Sequence, residues 1–206
     1  MNVQPMVHVV DDDGAIRDAL VLLLEAAGHS ARAHTDAAAF LGSIDPVQPG
    51  CVIADVRMPG MSGLDLQRHL REQRIDLPVI IITGHADVSM AVQALKAGAA
   101  DFIEKPFDED VLLSSVARAL DRGARVYRER RQLDEIGARA ATLTPREREV
   151  MDLVVQGMPN KAVAVELSIS ARTVEIHRAR VMEKMGAASL SDLVRMALRL
   201  EEVLSV

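Results

Sequence analysis

Between residues 6 and 120, short apolar runs alternate with stretches whose apolar residues recur every three or four positions. The runs are Val7–Val10, Cys51–Ala54, Val79–Ile82 and Ala100–Ile103, with a weaker one at Ser30–His34. Continuous apolarity over about four residues suits a strand buried on both faces. Helical spacing follows each run. It covers Ile16, Leu20, Leu23 and Leu24 up to Gly28, then Asp36–Leu41, Ser62–Arg74, Val88–Ala97 up to Gly98, and Asp108–Leu120. Five such repeats predict an α/β domain: a five-stranded parallel, doubly wound, flavodoxin-like sheet with helices on both faces.

Beyond Asp121 the strand pattern stops. Residues 122–141 put Val126, Leu133, Ile136 and Ala140 roughly on one face, which predicts a helical linker that can continue the preceding helix. Residues 142–206 read as four helices. Thr144-Pro145-Arg146-Glu147 supplies a cap, a proline at the first helical position and a glutamate to close a capping box. Gly157 ends that helix, and a second runs from Asn160 to about Leu167. After the turn at Ser168–Ser170 a third runs from about Ala171 to Met185, stopped by Gly186. Ser189 or Ser191 caps a fourth, to about Leu200. Two short helices joined by a tight turn form a helix-turn-helix candidate. The expected organisation is an α/β domain at 4–121, a linker at 122–141 and an all-α four-helix domain at 142–206.

The chain has 206 residues and is 49% hydrophobic, but with no Trp, one Tyr and three Phe its core must be aliphatic. No run approaches the roughly 20 apolar residues of a membrane span. The first residues lack a basic stretch followed by an apolar core, so a cytoplasmic location without membrane contact is expected. The single cysteine, Cys51, fits a buried strand in a reducing compartment. Charge is uneven: residues 1–123 carry 10 Lys and Arg against 18 Asp and Glu, residues 124–143 carry 5 against 3, and residues 144–206 carry 9 of each. Modules with different tasks are expected.

The strand-like runs end in reactive residues: Asp11 and Asp12, Asp55, Thr83, and Glu104-Lys105-Pro106. A parallel sheet forms its sites at strand carboxyl ends, so the three carboxylates Asp11, Asp12 and Asp55, a hydroxyl and an ammonium are expected at one edge. Carboxylates packed together repel, and a hard divalent cation such as Mg²⁺ relieves this. Such a cation also aligns a phosphoryl group for attack by the Asp55 carboxylate, while Lys105 and Thr83 meet its oxygens. Lys105-Pro106 is a candidate cis peptide. Asp13, next to the acid pair, reads as an ordinary helix cap.

These motifs in this order make residues 6–120 resemble a response-regulator receiver domain: Asp11-Asp12, Asp55 with Met58-Pro59-Gly60 and Gly63, Thr83-Gly84, and Phe102 to Pro106. The resemblance implies phosphorylation of Asp55 by a sensor histidine kinase and Mg²⁺ held by Asp11, Asp12, Asp55 and the Arg57 carbonyl. It also implies Thr83 and Phe102 as coupled switch residues, and a homodimer once phosphorylated. Its only catalysis would be phosphoryl transfer and dephosphorylation at Asp55, so it is not expected to be an enzyme otherwise.

Residues 143–200 resemble the LuxR-type helix-turn-helix through Leu143–Glu147, Gly157, Asn160-Lys161, Ser170–His177 and Lys184-Met185. At about 100° per residue, Val174, Val181 and Met185 fall on the core side of the third helix, and Arg172, Glu175, Ile176, Ala179 and Arg180 on the exposed side. Double-stranded promoter DNA is therefore an expected partner. Glu175 suits a cytosine amine and Ile176 a thymine methyl, whereas Arg172, Thr173, Arg178, Arg180 and Lys184 suit phosphates, with Asn160 and Lys161 alongside. His177 lies off both faces, where an internal hydrogen bond is as good a reading as a DNA contact. Residues 55–63, 82–88 and 172–178 carry wording similar to the family's regulators of nitrogen fixation. That implies an activator of nitrogen-fixation or oxygen-responsive genes, with RNA polymerase as a further partner.

Two other readings stay open at this level. An Asp-nucleophile hydrolase also uses strand-end carboxylates and Mg²⁺, but Arg57 stands where a general acid would be needed and no cap insertion interrupts the repeats. A receiver acting only through protein partners, with a vestigial tail, would differ in duplex binding by residues 143–206. No Gly-x-x-x-x-Gly-Lys stretch exists, which excludes a P-loop NTPase.

Overall fold

The computed structural model describes residues 4–45, 48–84 and 88–204. The His85-Ala86-Asp87 part of the nitrogen-regulator wording lies outside them. The chain divides into two compact units, at Arg128 and Glu129.

In the first unit β1 (Met6–Val10), β2 (Ser30–His34), β3 (Gly50–Asp55), β4 (Val79–Thr83) and β5 (Asp101–Glu104) form one parallel sheet in the order β2-β1-β3-β4-β5. Alternate residues of each strand face opposite sides, and the sheet has a core on each. Val9, Ile53, Ile80 and Ile82 pack with Leu20 and Leu24 of α1 (Gly14–Ala26) and with Leu112 and Val116 of α5 (Glu109–Ala141). Val10, Val52, Ala54 and Ile81 pack with Phe40 of α2 (Ala37–Leu41), Leu66 and Leu70 of α3 (Gly63–Glu72) and Ala94 of α4 (Val88–Lys96). At about 1.5–3 kcal/mol per buried aliphatic side chain, these layers fix the strand register. Asp13 caps α1 by accepting from the Ala15 N–H at 2.8 Å. Burial pushes the Cys51 thiol up to about 12, so it stays protonated.

Two glycines mark close approaches. A Cβ on Gly63 would lie 2.3 Å from the Asp55 carbonyl oxygen, so α3 can start directly beneath the end of β3 only with glycine there. A Cβ on Gly123 would lie 2.4 Å from the Gly50 carbonyl oxygen, where α5 crosses the start of β3.

The stretch expected as a linker is the last part of α5, which runs unbroken to Ala141. No proline interrupts it, and an Arg131–Glu135 pair at 3.1 Å supports its exposed side. Its Ile136 and Ala140 join the core of the second unit with Leu143. That unit also contains α6 (Pro145–Val155), α7 (Asn160–Glu166), α8 (Ala171–Met185) and α9 (Leu190–Leu204), which runs past the expected end near Leu200. The capping box at α6 is complete: Thr144 Oγ1 accepts from the Glu147 N–H, and the Glu147 carboxylate accepts from the Thr144 N–H at 2.9 Å. Gly186 ends α8 in the left-handed conformation, at φ 65°.

Candidate functional site

The sheet register builds the site. Val10 pairs with Ala54, which brings Asp11, one residue past β1, beside Asp55 at the end of β3. Asp55 pairs with Ile82 and Thr83 with Glu104, so Thr83 and Lys105 follow at the same edge. Asp11 is 1% exposed and Asp55 7%. The Lys105 ammonium donates to both, at 2.7 Å to Asp11 Oδ2 and 2.8 Å to Asp55 Oδ1. The second oxygens are held by backbone: the Asp13 N–H donates to Asp11 Oδ1 at 2.9 Å, and the Arg57 N–H to Asp55 Oδ2 at 2.6 Å. Burial pulls the Lys105 pKa down, but its bonds to Asp11 and Asp55 outweigh this and hold it above the usual lysine value. Lys105 is further tied by its own N–H to the Thr83 carbonyl at 2.8 Å, and its bond to Pro106 is cis. Thr83 is buried, and Phe102 is half-buried against the α3 and α4 side of the core.

The expected trio of carboxylates is a pair. Asp12, a further residue past β1, is exposed. Among the described residues no three Asp, Glu, His or Cys side chains stand close enough to hold a metal ion. The pair still fits a hard divalent cation. Two buried carboxylates against one ammonium leave net negative charge, the donors are oxygens, and Asp12 adds a solvent-side carboxylate.

The second site is on α8. Val174, Val181 and Met185 are buried, while Arg172, Glu175, Ile176, Ala179 and Arg180 are exposed on the other side. Arg172 and Glu175 pair at 3.0 Å. Asn160, at the start of α7, accepts from Arg178 at 2.7 Å, which joins the two helices of the motif. Lys161 is exposed, and Thr173 Oγ1 is 2.8 Å from Ser170 Oγ at the start of α8.

One expectation on α8 is corrected, and one open reading is narrowed. Lys184 is engaged inside the unit: its ammonium donates to Glu147 Oε2 at 2.6 Å and to the Thr142 carbonyl at 3.1 Å. Lys184 first, then the Thr144 N–H, hold Glu147 down to about 2. A flexible four-carbon stem lets the charge reach back across the helix, which counting residues does not show. His177 Nδ1 is buried without a hydrogen-bond partner among the described residues, so the internal bond, one of the two readings open for His177, is not formed through that atom. Sequence reasoning also missed two buried polar features, the His8–His34 pair and Gln67.

Residues 7–117 match the response regulator receiver domain, and residues 141–197 match the bacterial regulatory proteins of the luxR family. The chain is 50% identical over 192 residues to the transcriptional regulatory protein FixJ of Azorhizobium caulinodans, covering 93% of this chain and 91% of that protein. It is 43% identical over 201 residues to the response regulator protein TmoT of Ectopseudomonas mendocina, covering 98% and 91%. Among solved structures, the response regulator StyR matches with a TM-score of 0.85 at 39% identity, covering 95% of this chain and 99% of that one.

Proposed function

This chain belongs to the response regulators that join a receiver domain to a LuxR-type DNA-binding domain, and we propose that phosphoryl transfer to Asp55 switches its hold on DNA. It is a transcriptional regulator with FixJ proteins among its relatives. The observation that carries the proposal is the Asp55 carboxylate, buried at the end of β3 with Lys105 on one oxygen and the Arg57 N–H on the other. So held, it has one orientation for attack.

An Asp55 oxygen attacks the phosphorus of a phosphohistidine on a sensor histidine kinase. The P–N bond breaks, the imidazole leaves and takes up a proton, and an acyl phosphate remains on Asp55. Lys105 releases the Asp55 oxygen and meets a phosphoryl oxygen as a point charge. Asp11, Asp12, Asp55 and the Arg57 carbonyl would hold Mg²⁺, which would supply positive charge against the phosphoryl oxygens. Hydrolysis at the same centre resets the switch, and this is the chain's only catalysis.

Thr83 donates to another phosphoryl oxygen, and Phe102 turns inward into the space it vacates. A modification shifts a conformational equilibrium only through such differential contacts. The outer face of α4 supports the next step. Val88, Val92 and Leu95 recur at helical spacing on it and are exposed, Val88 by 82%, with exposed Val111 on α5. This stripe is the surface through which two phosphorylated receivers pair. The dimer then sets two α8 helices in major grooves, with Glu175 and Ile176 on base edges and Arg172, Thr173, Arg180 and Lys161 on phosphates. The protein acts in the cytoplasm as an activator working with RNA polymerase, on nitrogen-fixation or oxygen-responsive genes by its likeness to FixJ.

Labelling by acetyl phosphate with Mg²⁺ tests the centre. Asp55→Asn should keep the native circular dichroism spectrum and lose labelling altogether; label at the native level would sink the assignment. Asp12→Ala should raise the Mg²⁺ concentration needed for half-maximal labelling. Thr83→Ala should take label yet remain monomeric in sedimentation, and normal dimerisation would remove Thr83 from the switch.

A further inference from the structure

The first unit carries another concave site, at the opposite end of the sheet from Asp55. A cleft of about 400 Å³ opens where β4 begins, walled by α3, the α3–β4 loop, the end of α4 and the middle of α5. Arg71, Lys96 and Arg122 come to it from three different helices, against a single carboxylate, Asp76. All four side chains are exposed, and none of the three cations forms an ion pair among the described residues. Arg71 gives one N–H to the Ala97 carbonyl at 3.5 Å and has others to spare.

Three like charges with one counter-charge among them repel. Here they gather in the acidic part of the chain, where residues 1–123 hold 18 Asp and Glu against 10 Lys and Arg. Helix C-termini favour cations, which accounts for Arg71 and Lys96 at the ends of α3 and α4. It does not account for Arg122, midway along α5. Gln67 gives an independent indication. It is 5% exposed and forms part of the cleft wall. Its Nε2 donates to the Ala94 carbonyl at 3.3 Å, which fixes the amide orientation, and its Oε1 has no hydrogen-bond partner among the described residues. A buried oxygen left without a donor is costly, and a ligand donor reaching it removes that cost.

We propose that this cleft binds a small organic polyanion that also carries a hydroxyl or amino donor. Its carboxylate or phosphate groups lie among Arg71, Lys96 and Arg122, and its donor turns to Gln67 Oε1 after a small shift of the overlying side chains. Because Arg122 and Val126 belong to α5, the ligand fastens that helix to the start of β4.

The test uses the full chain without Mg²⁺, titrated at constant ionic strength with citrate, with tricarballylate, which lacks only the hydroxyl, and with ribose 5-phosphate. Binding is read by calorimetry and amide chemical shifts. Citrate should bind saturably, shifting Leu77, Gly98 and Val126 while leaving Val56 and Thr83 beside Asp55 unmoved. Arg122→Gln and Lys96→Gln should each weaken it about five-fold or more, and Arg68→Gln, an exposed cation paired with Asp65 outside the cleft, should not. Tricarballylate should bind more weakly to the wild-type chain, and Gln67→Leu should abolish that preference. Absence of saturable binding of all three compounds up to about 10 mM would overturn the proposal. So would equal affinity in Arg122→Gln, or shifts confined to the surroundings of Asp55. The readout does not depend on phosphorylation, so its failure is distinct from failure of the Asp55 assignment.

Discussion

On the side of the sheet covered by α2, His8 and His34 are buried together against Phe40, with His8 Nδ1 3.0 Å from His34 Nε2. That contact needs a single proton between the rings, so two imidazolium ions cannot occupy it. Burial first, then the charge on His34, lowers His8 from 6.5 to about 4; burial and Arg32 lower His34 as well. The unfolded chain takes up a proton on His8 near pH 6.5 and the folded chain only near 4. Acidification through that window therefore favours unfolding, at up to about 1.4 kcal/mol per pH unit for each proton. Urea midpoints should fall between pH 6.5 and 5, above the range of ordinary carboxylates, and His8→Leu should flatten this part of the curve. An equally steep fall in the variant would place the titrating group elsewhere. Neither histidine stood out in the sequence, because the pair exists only through the β1–β2 register, which sets His34 beside Val10. Asp11, Asp55, Thr83 and Lys105 were legible because each follows an apolar run, and strand ends share an edge. The position of Lys184 along the helix is readable from the sequence and suits the DNA side, but the reach of its side chain is not readable. Lys184→Met should lower the melting temperature of the second unit by stranding buried Glu147; an unchanged melting temperature would show that the bond to Glu147 is not stabilising.

At the scale of elements, α5 gives a case where local propensity and packing disagree in sign. Gly to Ala within a helix ordinarily stabilises by about 1 kcal/mol. At Gly123 the added methyl would meet the Gly50 carbonyl oxygen at 2.4 Å, and backbone cannot move aside as a side chain tip can. Gly123→Ala should therefore destabilise the first unit, by about 1–3 kcal/mol as for other overpacked sites. Gly137, whose Cβ would meet nothing closer than Leu200 at 4.0 Å, should show the ordinary stabilisation when changed to Ala. Urea unfolding of the two variants decides it, and stabilisation by both would mean that α5 is not pressed against β3. The strands were legible because burial on both faces leaves a continuous apolar signature, as in Val79–Ile82. Even β2, with mixed burial, was bracketed by Gly28 and by the Asp36 cap. The unbroken length of α5 was less so, since its apolar stripe is sparse beyond Leu120 and the close approach of Gly123 to β3 exists only in the packing.

At the scale of the whole molecule, charge bears on the proposed switch. Residues 144–206 carry 9 basic and 9 acidic residues, and Lys184 and Arg178 are partly engaged internally. A single reading head with few free cations neutralises few phosphates, and non-specific affinity follows that number. Pairing two heads raises affinity without changing either, through effective concentration. On the proposed reading, the exposed Val88, Val92 and Leu95 stripe would supply the apolar area for pairing in an otherwise acidic unit. Val92→Arg should thus leave Asp55 labelling intact, keep the phosphorylated chain monomeric and weaken operator binding by about ten-fold or more. In the dimer, Arg180→Gln should weaken binding to all sequences alike and flatten the salt slope by about one unit for each head, whereas Glu175→Gln should change base preference at one position of each half-site. Footprinting should show two half-sites about one helical turn apart. The decisive comparison is operator affinity across a salt series for phosphorylated wild type and phosphorylated Val92→Arg. Equal affinity in a chain proven monomeric would mean that one neutral head suffices, and dimerisation would not be the step through which Asp55 controls DNA binding.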